Sequence, residues 1–287
     1  MPAIQSTIVS VDHHVIGHEW SVADMNELAC LIAIVLLGQA EHAAEIIATL
    51  DPSLPAYTDL NLIDDAKRQM RIKGSTEEKR HASKTHRDGF LFECISWIAA
   101  RQESDDRTFL KDPHLDPTSH GLDGLIVQLH ATDGEIVRST ICEDKCTTHP
   151  RTRFRDDVMT TFREHHHGTK RARDLVANAT ALLRVAGLSR TEATRAAAKV
   201  TDKSARRYRA ALTTGQLGAL GRARLFKGYD DLDEIDQDQR VGAMLPLTLD
   251  LRDWFQALAE AVALALDSFA VAATLPSPSK NPGKKHV

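Results

Sequence analysis

The 287-residue sequence predicts an α/β protein, a central mixed sheet with flanking helices and further helices towards both ends of the chain. Three observations carry that prediction. Two β-branched, alternating runs, 121–131 and 135–147, surround Thr132-Asp133-Gly134, a turn sequence that specifies an antiparallel hairpin. A further strand-like run, VGAMLPLTL, lies far along the chain at 241–249. Between and around these runs, apolar residues at three- and four-residue spacing mark amphipathic helices.

Taken in order, residues 3–16 alternate enough for one strand, and 21–50 read as one long helix capped by Ser21 or Asp24. Asp51-Pro52 and Pro55 break it, and a second helix is expected over 60–73, before Gly74-Ser75. Residues 1–78 are thus a mainly helical N-terminal region. A third helix over 79–102 presents Phe90, Cys94, Trp97 and Ile98 on one face, and 103–120 read as a loop rich in Asp, Pro, Ser and His. After the hairpin, 151–167 and 169–184 are helical, with Gly187 closing the second as a C-terminal cap. Residues 188–212 read as two short helices around Val200-Thr201-Asp202, 230–238 as an acidic loop, and 251–273 as an Ala/Leu-rich helix. Residues 79–274 form the core with its C-terminal helical extension, and 275–287 a disordered tail.

The composition, 42% hydrophobic and 26% charged, is that of a soluble globular protein. The longest wholly apolar run, 28–37, is about half of what a membrane-spanning helix needs, and no signal-peptide succession opens the sequence. A cytoplasmic protein without membrane contact is expected. Cys30, Cys94, Cys142 and Cys146 are scattered, which suits unpaired thiols in a reducing compartment. Net charge is −4, but residues 1–150 carry −11, 151–210 carry +9 and 211–287 carry −2. A basic middle on an acidic chain suits a nucleic-acid footprint as well as it suits a solvated helical face.

The chemistry concentrates on the hairpin. Glu143 and Lys145 are two residues apart on a strand, so both side chains share one face while Asp144 points to the other. A hairpin turning at Asp133 sets Asp123 and Glu143 at equal distances from the turn, as cross-strand neighbours. Two carboxylates at one end of a ribbon repel unless a cation separates them, and such hard oxygen donors suit Mg²⁺, with Mn²⁺ as the alternative. A lysine beside them can hold the attacking water and stabilise charge developing on a phosphate.

Asp123 followed by Glu143-Asp144-Lys145 resembles the D…(D/E)xK signature of the PD-(D/E)XK, or restriction-endonuclease-like, nuclease superfamily over about residues 80–185. Leu122 stands where the superfamily's name has proline. The resemblance implies a restriction-endonuclease-like core in which Asp123 and Glu143 hold the metal and Lys145 assists catalysis. Glu93, on the preceding helix, matches a position that often supplies another acidic ligand. Arg151, Arg153 and Arg155, and then Lys170, Arg171 and Arg173, open the next two helices and are candidate contacts to a DNA backbone. Length, the helical N-terminal part and SHGLDGLIV…CEDKCT also resemble the nuclease subunits (HamA) of Hachiman-type antiphage defence systems. That implies DNA as substrate and a helicase partner that restrains the nuclease.

Other readings are weighed beside this one. Cys142, Cys146 and His149 have a zinc-like spacing but lack a fourth ligand. His165-His166-His167 point to three sides of a helix end and are expected to be solvated, and His120 is a loop histidine near the site. A non-catalytic DNA-binding or regulatory protein, with 188–212 as a helix-turn-helix-like basic segment, is the competing function.

Overall fold

The computed structural model describes residues 2–114, 122–132, 134–168 and 171–274. The chain opens with β1 (Ile4–Ser10) and β2 (Ile16–Val22), followed by α1 (Met25–Leu36), α2 (Ala40–Thr49), α3 (Leu60–Met70) and α4 (Glu77–Gln102). Then come β3 (Thr108–Leu110), β4 (Gly124–Leu129) and β5 (Ile136–Lys145). α5 (Pro150–Arg153) runs through a π turn, Phe154–Val158, into α6 (Met159–His167), and α7 (Ala172–Val185) and α8 (Arg190–Ala197) follow. The chain continues as β6 (Arg206–Thr214), α9 (Ala219–Leu225), β7 (Arg240–Pro246) and α10 (Leu251–Thr274).

All seven strands join one sheet in the order β1-β2-β7-β6-β5-β4-β3. The inner four, β2, β7, β6 and β5, are parallel, and the outer pairs are antiparallel. Parallel neighbours need crossovers, which α5 to α8 supply between β5 and β6 and α9 supplies between β6 and β7. Helices cover both faces. Ala211, Ala243 and Leu245 of β6 and β7 pack into a core with α1, α4 and α10, whereas Leu125, Ile141, Tyr208, Leu212 and Met244 pack beneath α5 to α9. Alternation along each strand divides the two cores.

Three expectations are corrected. Residues 3–16 are not one strand but the start of a pair, because the turn at 11–15 begins where the alternation still looked continuous. Through β2 the N-terminal region joins the sheet beside β7, and α1 and α2 share a core with α4 and α10. Nor are residues 21–50 one helix. Asp24 caps α1, its Oδ1 accepting from Asn26 N at 2.9 Å and Glu27 N at 3.1 Å, and Gly38, with φ +75°, breaks the chain before α2. The apolar periodicity runs on through this turn and hides it.

The third correction removes the helix-turn-helix. Residues 203–205 form one 3₁₀ turn, and the second expected helix is instead β6, between β5 and β7. A parallel strand covered on both faces lacks the alternating pattern of a half-exposed one, and its Arg and Ala residues imitate helix composition. By contrast, α7 ends as predicted at Gly187, φ +89°, with Leu188 N donating to Leu183 O at 3.1 Å and Gly187 N to Arg184 O at 3.1 Å. Helix α10 is long and apolar enough to cross a membrane by composition, but here Leu251, Phe255, Leu258, Val262, Leu266 and Phe269 are buried in the core it shares with α1. The tail at 275–287 lies outside the described residues.

Candidate active site

The hairpin register sets the site. Gly124 pairs with Cys142 and Leu125 with Ile141, and one step further that register places Asp123 opposite Glu143. The site lies at the carboxyl end of β5, beside the carboxyl ends of its parallel neighbours, where ligands of open α/β sheets bind. Beyond Lys145 the chain is held to β6 by a reciprocal pair of bonds. Thr147 N donates to Thr213 Oγ1 and Thr213 Oγ1 to Thr147 O, both at 2.8 Å.

Asp123, Glu143 and Lys145 converge. Lys145 Nζ donates to Glu143 Oε2 at 2.8 Å and to Asp123 Oδ2 at 3.1 Å. Asp144 N donates to the same Asp123 oxygen at 3.1 Å, so the strand's own backbone helps fix that carboxylate. Glu143 is 4% exposed. Burial pushes its carboxyl above the usual range, and Asp123 adds to the push while Lys145 opposes it. Lys145 is driven the other way from most buried lysines: Glu143 and Asp123 outweigh the cost of burial, so its ammonium holds its proton tightly.

Glu93 belongs to the opposite helical layer. It accepts from His114 N at 2.9 Å and pairs with His114 Nδ1 at 2.9 Å. With Asp123, Asp144, Lys111 and Arg209 it lines a cavity of about 20 Å³, room for a single water-sized occupant. The expected trio of Asp123, Glu143 and Glu93 does not close into one donor set. Among the described residues, three such donors come within 4.8 Å of one another only at His166, His167 and Asp233. Cys142, Cys146 and His149 do not form a set either, and the Cys142 thiol is pushed up to about 12 by burial.

Two participants escaped the sequence reading. Asp144 does face away from Glu143, but into protein: its Oδ1 is buried without a hydrogen-bond partner, and burial raises its carboxyl to about 7 against the opposing pull of Arg209. Lys111, half-buried, donates to Leu122 O at 3.0 Å beside Asp123, and burial lowers its pKa. Asp144 points to the face opposite Glu143 and Lys111 lies outside the hairpin, so neither role has a local signal in the motif.

The candidate backbone contacts are mostly engaged within the chain. Arg151 Nη1 donates to Leu225 O at 3.0 Å and Lys227 O at 2.6 Å, satisfying carbonyls at the end of α9. Arg153 pairs with Asp157 at 2.8 Å, Arg155 with Asp156 at 2.5 Å and Arg171 with Glu164 at 2.9 Å, all on exposed or half-exposed surface. Arg173 is exposed on α7. Lys170 and His120 lie outside the described residues. The histidine run is not solvated throughout: His165 and His166 are each 3% exposed, and His166 sits between Tyr208 Oη at 3.1 Å and Asp233 O at 2.9 Å. Desolvation lowers the His165 pKa to about 4, keeping the ring neutral.

No protein-family model matches the chain, and no curated protein matches it.

Proposed function

We propose that this protein is a divalent-metal-dependent deoxyribonuclease of the PD-(D/E)XK type. The observation that carries the reading is the single ammonium of Lys145 shared between the carboxylates of Asp123 and Glu143 at the carboxyl end of β5. The order helix α4, hairpin β4–β5, helix α5–α6 in a mixed sheet covered on both faces accords with that superfamily.

The residues fit a hard cation. Two carboxylates share one positive charge, and one of them, Glu143, is buried, so the cluster is short of a cation where negative charge is costly. Asp123 and Glu143 would hold Mg²⁺ or Mn²⁺; Glu93, engaged by His114 on the other face of the sheet, stands outside that set. When bound, the ion would supply Lewis acidity and a more acidic water. Lys145 keeps its proton and therefore acts as donor, orienting the attacking water and stabilising negative charge on the phosphate oxygens as the phosphodiester bond breaks. Asp144 N holds Asp123 in position for that task.

The resemblance to Hachiman-type nuclease subunits extends the proposal to an antiphage effector in the cytoplasm that degrades DNA once a helicase partner releases it. The helix-turn-helix alternative loses its support, because the segment it needed is a strand within the sheet. The test is cleavage of supercoiled and linear DNA with Mg²⁺, with EDTA, and by Lys145→Ala. Nicking or degradation by the wild type that both controls abolish supports the proposal. Cleavage that persists in the variant contradicts the site.

A further inference from the structure

We infer that the cleft between the end of α4 and the sheet binds a small phosphorylated molecule through Arg138, Arg207 and Arg209. The cleft encloses about 270 Å³, far more than one water or ion and close to the lower bound for small-molecule sites. Three guanidinium groups face it from β5 and β6, against one carboxylate, Glu103. That carboxylate is already engaged, since His18 Nδ1 lies 3.6 Å from Glu103 Oε1.

Arg209 gives the site its built character. It is 9% exposed, rests 5.7 Å from the Trp20 ring centre and donates to Ser96 Oγ at 2.6 Å, yet its Nε has no hydrogen-bond partner. It forms no direct ion pair among the described residues, and Asp144 and Glu103 act on it through space. With no direct ion pair to balance it, a buried guanidinium that opens on a polar cleft offers an anion a place to dock. Arg207 spends its Nε on Asp238 O at 2.8 Å, and Arg138 pairs at 3.2 Å with Asp238 on the exposed side. Both line the cleft and are less buried than Arg209.

Planar guanidinium forks match phosphoryl oxygens in pairs, and three around one space suit a dianion better than a single carboxylate. Ile126 and Ala243 add an apolar wall, so the space beyond the charged end suits an organic body such as a nucleoside. The inference stands apart from the nuclease proposal, because its readout is binding and needs no cleavage.

The experiment is titration calorimetry of the full chain with a nucleoside 5′-monophosphate, inorganic phosphate and the unphosphorylated nucleoside. Arg138→Gln and Arg207→Gln serve as variants, being less buried than Arg209 and outside the candidate metal site. Saturable binding of the monophosphate, none of the nucleoside, and affinity about tenfold weaker in each variant are expected. Inorganic phosphate binding as tightly as the nucleotide would identify free phosphate as the source, within the same inference. No saturable binding of either phosphorylated probe, or binding unchanged in both variants, overturns it.

Discussion

Two buried charge clusters of this protein are built in opposite proportions. Between α4 and α10, Asp88 is fully buried and accepts from Arg87 Nε at 3.1 Å, Arg87 Nη2 at 2.8 Å and Arg252 Nη1 at 2.6 Å. The arginines in turn donate to Gln256 Oε1 at 2.7 Å and Thr85 Oγ1 at 3.3 Å. One carboxylate meets two cations, and the network closes on itself. At the end of β5 two carboxylates meet one cation, and at the neighbouring cavity Asp144 and Glu93 stand with Lys111 and Arg209, so carboxylates outnumber cations there by one. A closed cluster ties two helices together. A cluster short of positive charge is poised to take up a cation, which is why perturbed carboxyls gather at functional sites.

If that contrast is right, the two clusters respond to mutation in different currencies. Lys145→Ala is expected to reduce DNA cleavage by on the order of 10²- to 10³-fold while lowering the melting temperature less than Asp88→Ala does, as read by a cleavage time course and calorimetry. Asp88→Ala strands the buried guanidinium of Arg87 and the partly exposed one of Arg252, and is expected to destabilise the fold by about 3 kcal/mol in denaturant titration. A fold as stable as the wild type would show that the α4–α10 cluster is not a clamp.

The pH dependence sharpens the comparison. Burial holds the Glu143 carboxyl above its ordinary 4.5, so below that value it is protonated whether the chain is folded or not and contributes no difference. As pH rises through the window above 4.5, the unfolded chain releases this proton first and the folded state loses stability. In metal-free buffer, wild type is therefore expected to lose stability relative to Glu143→Gln between pH 4.5 and neutrality, followed by urea midpoints. A pH-independent gap between the two proteins contradicts this. The smallest effect is expected at the surface, where Arg173→Ala should weaken DNA binding a few-fold and reduce the salt slope by about 1. An unchanged slope would remove Arg173 from the interface.

The hairpin was legible because its information is local. Thr132-Asp133-Gly134 and two alternating runs mark the hairpin, and the pairing beyond the register shift at Gln128/Leu129 brings Asp123 to Glu143 and Lys145. What was not legible depends on long-range packing. Strand β6 carries arginines on a strand covered on both faces, and its identity depends on β5 and β7 to either side of it. Glu93 was placed on the right helix, yet which face of the sheet that helix covers cannot be read from spacing, and it covers the face away from Glu143. His165 and His166 read as a polar run, but both are buried, His166 between Tyr208 Oη and Asp233 O, partners that lie far along the chain.

The most direct test of the charge-deficient cluster is titration of the purified, metal-free chain with Mn²⁺, followed by calorimetry, for wild type, Asp123→Ala and Glu143→Gln. A held-in-check nuclease would still give this signal. Saturable binding by the wild type that both substitutions weaken severely is the predicted result; no binding by the wild type, or binding that survives both, would contradict the assignment of Asp123 and Glu143 as a metal site.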